Sequence, residues 1–387
     1  MVEWKEIKEI FETRNGYTPS TANESFWEGG NIPWFKMEDI RDNGNILNDS
    51  YLHITHNAIK GKGLFKANSI LLATSATIGE HALIEVEHLS NQRFTNFYPK
   101  KEYEQLINMH YAYYYMFLID EWCKQHVNQG GFASVDMGGL YKLSFPVPPI
   151  SEQERIVGIL DTFTASIDNL KEQIAQRRKQ YEYYRDQLLD LEGKEGVEMK
   201  KLGEIGEFIR GNGIQKSDFV EEGFSCIHYG QIHARYGFSA EETISKIDEA
   251  LYKKCKKAKK GDVVLATTSE DVEGVAKPFV WLGDDEAAVS GDAFIYHHNQ
   301  IGKFMGYQFM THRFMQFKVK YATGAKVVRI SGDNMAKFEV ALPSIEEQSR
   351  IVSILDTFEA SISNLEAHLS LREKQYEYYR NKLLTFD

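Results

Sequence analysis

The sequence predicts a duplicated α/β (α+β) protein: two globular domains, each followed by a long α-helix, the two helices pairing as an antiparallel coiled coil about a pseudo-two-fold axis. Three observations predict it. Gln153 to Leu189 recurs as Gln348 to Leu384 at an offset of 195 without a gap, and about two-thirds of the positions are identical. Each copy carries a seam of residues alternating three and four apart, the signature of a heptad helix. Each globular part holds a short apolar run that enters a polar loop, Ile70-Leu71-Leu72 before Ala73-Thr74-Ser75 and Val263-Val264-Leu265 before Ala266-Thr267-Thr268. The same offset pairs Val2-Glu3-Trp4-Lys5 with Val197-Glu198-Met199-Lys200, which extends the duplication to the whole chain. The expected boundaries are 1–150 for the first domain, 151–192 for its helix, 193–343 for the second domain and 344–387 for its helix.

Each helix follows a proline stop, Pro148-Pro149 in one copy and Pro343 in the other. Ser151 with Glu154 and Ser344 with Glu347 match a capping box. The first seam runs Ile156, Leu160, Phe163, Ile167, Leu170, Ile174, Arg177, Tyr181, Tyr184, Leu188, Leu191. The second runs Ile351, Leu355, Phe358, Ile362, Leu365, Leu369, Arg372, Tyr376, Tyr379, Leu383, Phe386. About forty residues at 1.5 Å each make a rod of roughly 60 Å. The seams need partners, either each other or another chain; each helix follows its own domain, which favours antiparallel pairing within the chain. Arg177 and Arg372 interrupt the seams at equivalent places. They either reach out of the seam along their stems or set the register.

The domains diverge far more than the helices. Each ends in a glycine-containing polar loop and then a strand into proline: Gly130-Gly131 before Leu143-Ser144-Phe145-Pro146, and Gly324 before Phe338 to Pro343. Expected helices at Tyr103 to Lys124 and Ile244 to Lys260 alternate with the strands, giving a mixed domain around a small sheet. Constant helices beside divergent domains suit a reader of two different targets at fixed geometry.

Composition narrows the function classes. Hydrophobic residues are 42% and charged residues 26%, as in a globular protein. No run of about eighteen apolar residues exists, and the charged start Met-Val-Glu-Trp-Lys-Glu lacks the apolar core of a signal peptide. Three scattered cysteines, Cys123, Cys226 and Cys255, fit a reducing cytoplasm and no metal site. The net charge of −11 distributes as −5, −3, 0 and −3 over the four segments. Binding to nucleic acid would therefore rest on local basic loops or on basic partners.

No catalytic constellation is expected. The only Pro-Pro pair lies in Val-Pro-Pro-Ile, so the Asn/Asp-Pro-Pro-aromatic loop of an amino-methyltransferase is missing. Gly211 to Ser217 has Gln215 where a phosphate loop needs its second glycine. Glu3-Trp4-Lys5 and Glu198-Met199-Lys200 lack the upstream Pro-Asp of a nuclease. None of the 12 histidines pairs at metal spacing.

Several phrases together resemble the specificity subunits of type I restriction–modification enzymes. They are Gly16-Tyr17-Thr18-Pro19-Ser20, Ile32-Pro33-Trp34-Phe35-Lys36-Met37-Glu38-Asp39-Ile40, and Pro148-Pro149-Ile150-Ser151-Glu152-Gln153 with its second copy Leu342-Pro343-Ser344-Ile345-Glu346-Glu347-Gln348. The second copy has one proline where the family often has two. The resemblance covers essentially the whole chain. It implies a non-catalytic subunit with two target recognition domains, each reading one half of an asymmetric bipartite site in double-stranded DNA, with helices that set the unread spacer. It implies two methylation subunits as partners, which carry S-adenosylmethionine, and allows motor-nuclease subunits for cleavage. This chain itself is expected to bind no cofactor, no metal and no membrane.

Base reading needs amides, arginine, lysine and hydroxyls on loops. In the first domain the candidates are Arg14, Asn15, Tyr17, Thr18, Ser75, Thr77, Asn91, Gln92 and Arg93. In the second they are Arg210, Asn212, Gln215, Lys216, Thr268, Ser269, Lys326 and Arg329. Each is alternatively a solvated loop side chain. The six lysines between Lys253 and Lys260 are either a solvated helix end that complements the dipole before Gly261 or a phosphate-contacting ridge. A coiled-coil interaction protein with no DNA role is the competing class.

Overall fold

A computed structural model describes residues 2–128 and 133–386, so Gly130-Gly131 lies outside the described residues. The chain forms two compact units: residues 1–169 with 368–387, and residues 170–367.

The first unit is built on a five-stranded sheet in the order Phe11–Asn15, Phe94–Pro99, Ser69–Ala73, His81–Ile84, Ile46–Leu47. Its central strand is buried throughout, and apolar after Ser69, because both faces are covered. Ile70 and Leu72 face a core with Phe97, Tyr111 and Met116. Leu71 and Ala73 face a second core with Trp34, Phe35 and Phe94. The helix Met109–Gln125 packs on the first face. It begins six residues later than the expected Tyr103, because Asn108 Oδ1 accepts from the His110 and Tyr111 amides and caps it there.

The second unit repeats this plan. Its sheet runs Gly206–Arg210, Ala293–His298, Val263–Ala266, Lys277–Trp281, Ser239–Ala240, the same order of equivalent strands. Val263 and Leu265 face one core, Val264 and Ala266 the other. In each unit the segment repeated at the offset of 195 forms a two-stranded ribbon with the strand before the long helix: Trp4 opposite Pro146 in one and Met199 opposite Ala341 in the other. The stretch from Ile244 to Lys260 is not one helix. It is a strand Ser245–Ile247, a helix Glu249–Lys254 and a strand Lys257–Ala258. Asp248 caps the short helix through the Leu251 amide, and Cys255 is extended, which ends it.

The long helices span Ile150–Leu189 and Ile345–Leu384, forty residues each. Ser344 caps the second, its Oγ accepting from the Glu347 amide at 3.3 Å. Ser151 does not cap the first, which starts at Ile150; the offset sets Pro149, not Ser151, opposite Ser344, and the Gln153 amide donates to Pro149 O. The Glu-Gln phrase has a structural reason. Gln153 is fully buried; its Oε1 accepts from the Asn108 amide at 2.8 Å, and its Nε2 donates to Leu106 O and Pro148 O. Gln348 is equally buried and receives the Ile301 amide while donating to Gln300 Oε1 and Pro343 O. Each glutamine ties a helix start to its own domain. Further along, Tyr114 donates to Asp161 at 2.6 Å and Tyr307 to Asp356 at 2.7 Å.

Within each unit the helix segments pair antiparallel, through the same contacts. Phe163 stacks on Tyr379 at 5.4 Å in the first, and Phe358 on Tyr184 at 5.6 Å in the second. Arg372 lies over Phe163 at 5.7 Å, and Arg177 over Phe358 at 6.0 Å. The arginine breaks in the seams are thus cation–π partners. In the second unit Tyr181 also donates to Glu359 and Arg178 to Glu366. The seam does not keep one role to its ends. Ile156 and Leu160 are buried in the first domain's core, and Ile351 and Leu355 in the second's, because there the helix lies on its domain.

Among the described residues no helix is long and apolar enough to cross a membrane. The three cysteines are free and buried, and burial pushes the Cys123 and Cys226 thiols up to about 12.

Candidate nucleic-acid interface

In the first unit three expected loops meet at one edge of the sheet. The Gly16 amide donates to Phe94 O at 3.0 Å and the Tyr17 amide to Ser90 O at 2.8 Å. A Cβ at Gly16 would lie 2.2 Å from Asn91 O, so only glycine lets the loops approach this closely. Thr18 Oγ1 donates to Gln92 Oε1 at 2.7 Å, Thr95 Oγ1 to Asn15 Oδ1 at 2.9 Å, and the Thr74 amide to Arg93 O at 3.0 Å. The Arg93 amide donates to Asn91 Oδ1 at 3.0 Å. Ser75 forms an isolated bridge with Ser134, and Thr77 follows it after Ala76, a non-glycine residue at φ 66°. The family's phrases acquire a job here: Trp34 Nε1 donates to Tyr17 O at 3.0 Å and stacks edge-on with Trp27, bracing the loop.

Arg14 does not belong to that edge. Its Nη2 donates to Gly63 O at 2.8 Å and its guanidinium lies over Phe65 at 4.3 Å; burial lowers its pKa from the usual value. The Tyr17 hydroxyl is also spent, donating to Ala58 O and accepting from the Lys60 amide. What it supports is a turn with exposed Lys60 and Lys62, a basic feature that the linear pattern did not single out.

The second unit repeats the same backbone with other side chains. The Gly211 amide donates to Ala293 O at 3.0 Å, the Asn212 amide to Val289 O at 2.9 Å and the Thr267 amide to Asp292 O at 2.9 Å. A Cβ at Gly211 would lie 2.3 Å from Ser290 O. By these bonds Gly211 matches Gly16, Arg210 matches Asn15, and Asp292 matches Arg93. Arg210 Nε donates to Gly291 O at 2.9 Å. Thr268 and Ser269 pair with Arg329 and Val328 in a small ribbon, and exposed Lys326 lies in the turn that the Thr323–Arg329 bridge closes. Gln215 and Lys216 sit at a short 3-10 turn, and the Gln215 amide donates to Asp218 at 2.7 Å. The loop Ser290-Gly291-Asp292 is the residue set that sequence reading missed.

The lysine run reaches the same edge. Asn212 Oδ1 accepts from the Lys256 amide at 2.5 Å, as Tyr17 accepts from Lys60. Lys253 pairs with Glu249 and Lys260 with Asp284, while Lys254, Lys256 and Lys259 are exposed. Among the described residues no group of three or more His, Cys, Asp or Glu is placed to hold a metal ion.

A family profile described as the type I restriction modification DNA specificity domain matches residues 1–177 and again 194–371. The chain belongs to that family. The EcoprrI type I restriction enzyme specificity subunit of Escherichia coli is 44% identical over 236 residues, 57% of this chain and 58% of that protein. The alignment thus spans less than two thirds of that relative. A putative type I restriction enzyme specificity subunit of Haemophilus influenzae is 27% identical over 100% of this chain and 96% of its own. Among solved structures, one described as the structural basis of complex assembly and conformational transition of the type I R-M system matches at a TM-score of 0.66 and 15% identity, covering 99% of this chain and 96% of that one. The specificity subunit from M. genitalium matches at 0.53 and 14%, covering 100% and 96%. These likenesses confirm the fold: two mixed helix–sheet domains and two long helices.

Proposed function

We propose that this chain is the non-catalytic, DNA-reading subunit of a type I restriction–modification complex. Each loop cluster reads one half of an asymmetric bipartite site, and the paired helices set the unread spacer. The observation that carries this reading is the recurrence of one loop arrangement, at one edge of one sheet plan, with different side chains. A backbone held constant positions the protein, and exchanged side chains change what is read. Asn15, Thr18, Gln92 and Arg93 serve the first half-site; Arg210, Asn212 and the Ser290–Asp292 loop serve the second, with Ser75, Thr77, Thr268, Ser269, Gln215, Lys216, Lys326 and Arg329 at the margins. Lys60 and Lys62 in one unit, and Lys254, Lys256 and Lys259 in the other, contact phosphates. The complex is cytoplasmic. Its two methylation subunits, which carry S-adenosylmethionine, dock on the acidic helices, and motor-nuclease subunits join them for cleavage.

Mapping methylated adenines by long-read sequencing, with and without this gene, tests the reading. Loss of one bipartite motif is expected, and loss of none overturns it. Replacing Lys254, Lys256 and Lys259 by glutamine is expected to flatten the salt dependence of DNA binding by about 0.9 log units for each phosphate no longer neutralised; an unchanged slope removes the lysine ridge.

A further inference from the structure

The loop edges of the two units differ in one chemically decisive way. None of the first unit's loop positions 14–18, 74–77 and 91–93 carries a carboxylate. The second unit has two: Glu270 in the place of Thr77, and Asp292 beside Arg210. Carboxylates are repelled by phosphate, so an acid among reading loops weakens binding to every sequence unless a base-edge donor meets it.

Arg210 Nη2 and Asp292 Oδ1 stand 3.9 Å apart, beyond hydrogen-bond range. Both side chains are exposed, at 68% and 42%. The guanidinium is anchored by Nε on Gly291 O, which leaves its terminal nitrogens free as a fork. The two groups line one polar cleft of about 430 Å³ with Gln215, Tyr229 and Ser290; Gly211, Gly213 and Gly291 keep its mouth open. Anchored donors and an unspent acceptor lie side by side.

We propose that Arg210 and Asp292 together read one G·C base pair in the major groove of the second half-site, an assignment that rests on the DNA-reading function above. The Arg210 terminal nitrogens donate to guanine N7 and O6, and the Asp292 carboxylate accepts from cytosine N4. Guanine O6 and cytosine N4 are themselves hydrogen-bonded, about 3 Å apart, so two side-chain groups 3.9 Å apart can each face one of them. Charge rejects two of the alternatives: A·T and C·G each put a donor before the guanidinium and an acceptor before the carboxylate. T·A keeps the acceptor and donor and is disfavoured through the fork, because its methyl group stands where guanine N7 takes the second Arg210 bond. The first unit, with Asn15 and Arg93 in these places, reads a different pattern.

The test expresses the full chain with its methylation subunits in a host free of adenine methylation, and maps the methylated motif for wild type, D292A and R210K. Wild type is expected to require G·C at one position of one half-site. D292A and R210K are each expected to relax that same position, with discrimination falling about tenfold or more, while the other half stays unchanged. R210K keeps the charge and loses the fork, so a wild-type motif from R210K shows a phosphate contact and overturns the assignment. So does an unchanged motif from D292A, or relaxation in both halves. A wild type that methylates no bipartite motif overturns the function reading and this assignment together, a result separate from the others. Thermal melting of each variant, expected to match wild type for such exposed side chains, excludes misfolding as the cause of any relaxation.

Discussion

In the first unit the loop edge presents Asn15, Gln92 and Arg93; in the second the corresponding positions are Arg210, Gly291 and Asp292. The amides beneath them are the same, Gly16 to Phe94 and Gly211 to Ala293, Thr74 to Arg93 and Thr267 to Asp292. The difference separates two kinds of constraint. Backbone hydrogen bonds and a close glycine approach hold the loops in place, and they recur. The side chains carried on that frame differ, although Asn15 is tied to Thr95 and Arg210 to Gly291 O. On the proposed reading, affinity and placement would sit on the first kind and sequence choice on the second.

The largest effect is expected where the frame itself is broken. In G16V or G211V a side chain would meet a carbonyl oxygen well inside van der Waals distance, and the loops must part. Such overpacking costs about 1–3 kcal/mol of stability, which leaves the unit folded with its edge displaced. If both halves of a bipartite site are required, as proposed, either variant should abolish methylation of the whole site. Retention of the wild-type motif by G211V, with G16V inactive, would show that only the first edge is read.

Burial of histidine separates the units less. Burial holds His88 of the first unit and His298 of the second down at about 4, below the ordinary 6.5. The unfolded chain therefore binds the extra proton first as pH falls. Stability from these groups is full above pH 6.5 and is lost towards pH 4, by about 3 kcal/mol for fully buried His88. Urea unfolding at pH 7 and pH 4.5, followed by tryptophan emission, checks this. Trp281 is the only tryptophan in the second unit. W281F therefore leaves emission from the first unit alone, and its difference from wild type reports the second. H88Q should flatten the pH dependence of the first unit alone.

The helix starts offer a finer contrast. Gln153 satisfies three backbone groups, whereas one partner of Gln348 is the side chain of Gln300. A side chain can turn to water and a buried backbone group cannot. Q153A is expected to cost about 2 kcal/mol and Q348A about 1 kcal/mol, measured as shifts in urea midpoint. Equal losses would mean that Gln300 is as fixed as backbone.

These contrasts also explain what was legible in sequence. The helices were, since nothing is inserted in them and every seam position keeps the offset of 195. The loop cluster was half legible. Gly16 and Gly211 keep that offset, but Thr74 and Thr267 differ by 193, and Arg93 and Asp292 by 199. Insertions between strands hid Asp292, which only hydrogen-bond register identifies. Edge strands such as Ile46–Leu47 and Ser239–Ala240 are two residues long, too short to show a period. Where Arg14 points was not legible, because its carbonyl and ring partners, Gly63 and Phe65, lie about fifty positions away. The run from Ile244 to Lys260 misled because lysine favours helix, whereas pairing of Lys257 with Ala288 decides its backbone.

The smallest expected effect lies where the units agree. Arg177 and Arg372 each lie over a phenylalanine in a half-exposed seam, an interaction worth about 0.5–1 kcal/mol. Leucine at either place would restore the apolar heptad and recover most of that through burial. R177L and R372L should therefore each change the urea midpoint by no more than the equivalent of about 0.5 kcal/mol, and by the same amount in both units. A fall of about 2 kcal/mol or more, well beyond one cation–π pair, would assign the arginines a register-setting role, because only a shifted helix pair is weakened so far by one substitution. A fall confined to one of them would break the equivalence of the two helix segments.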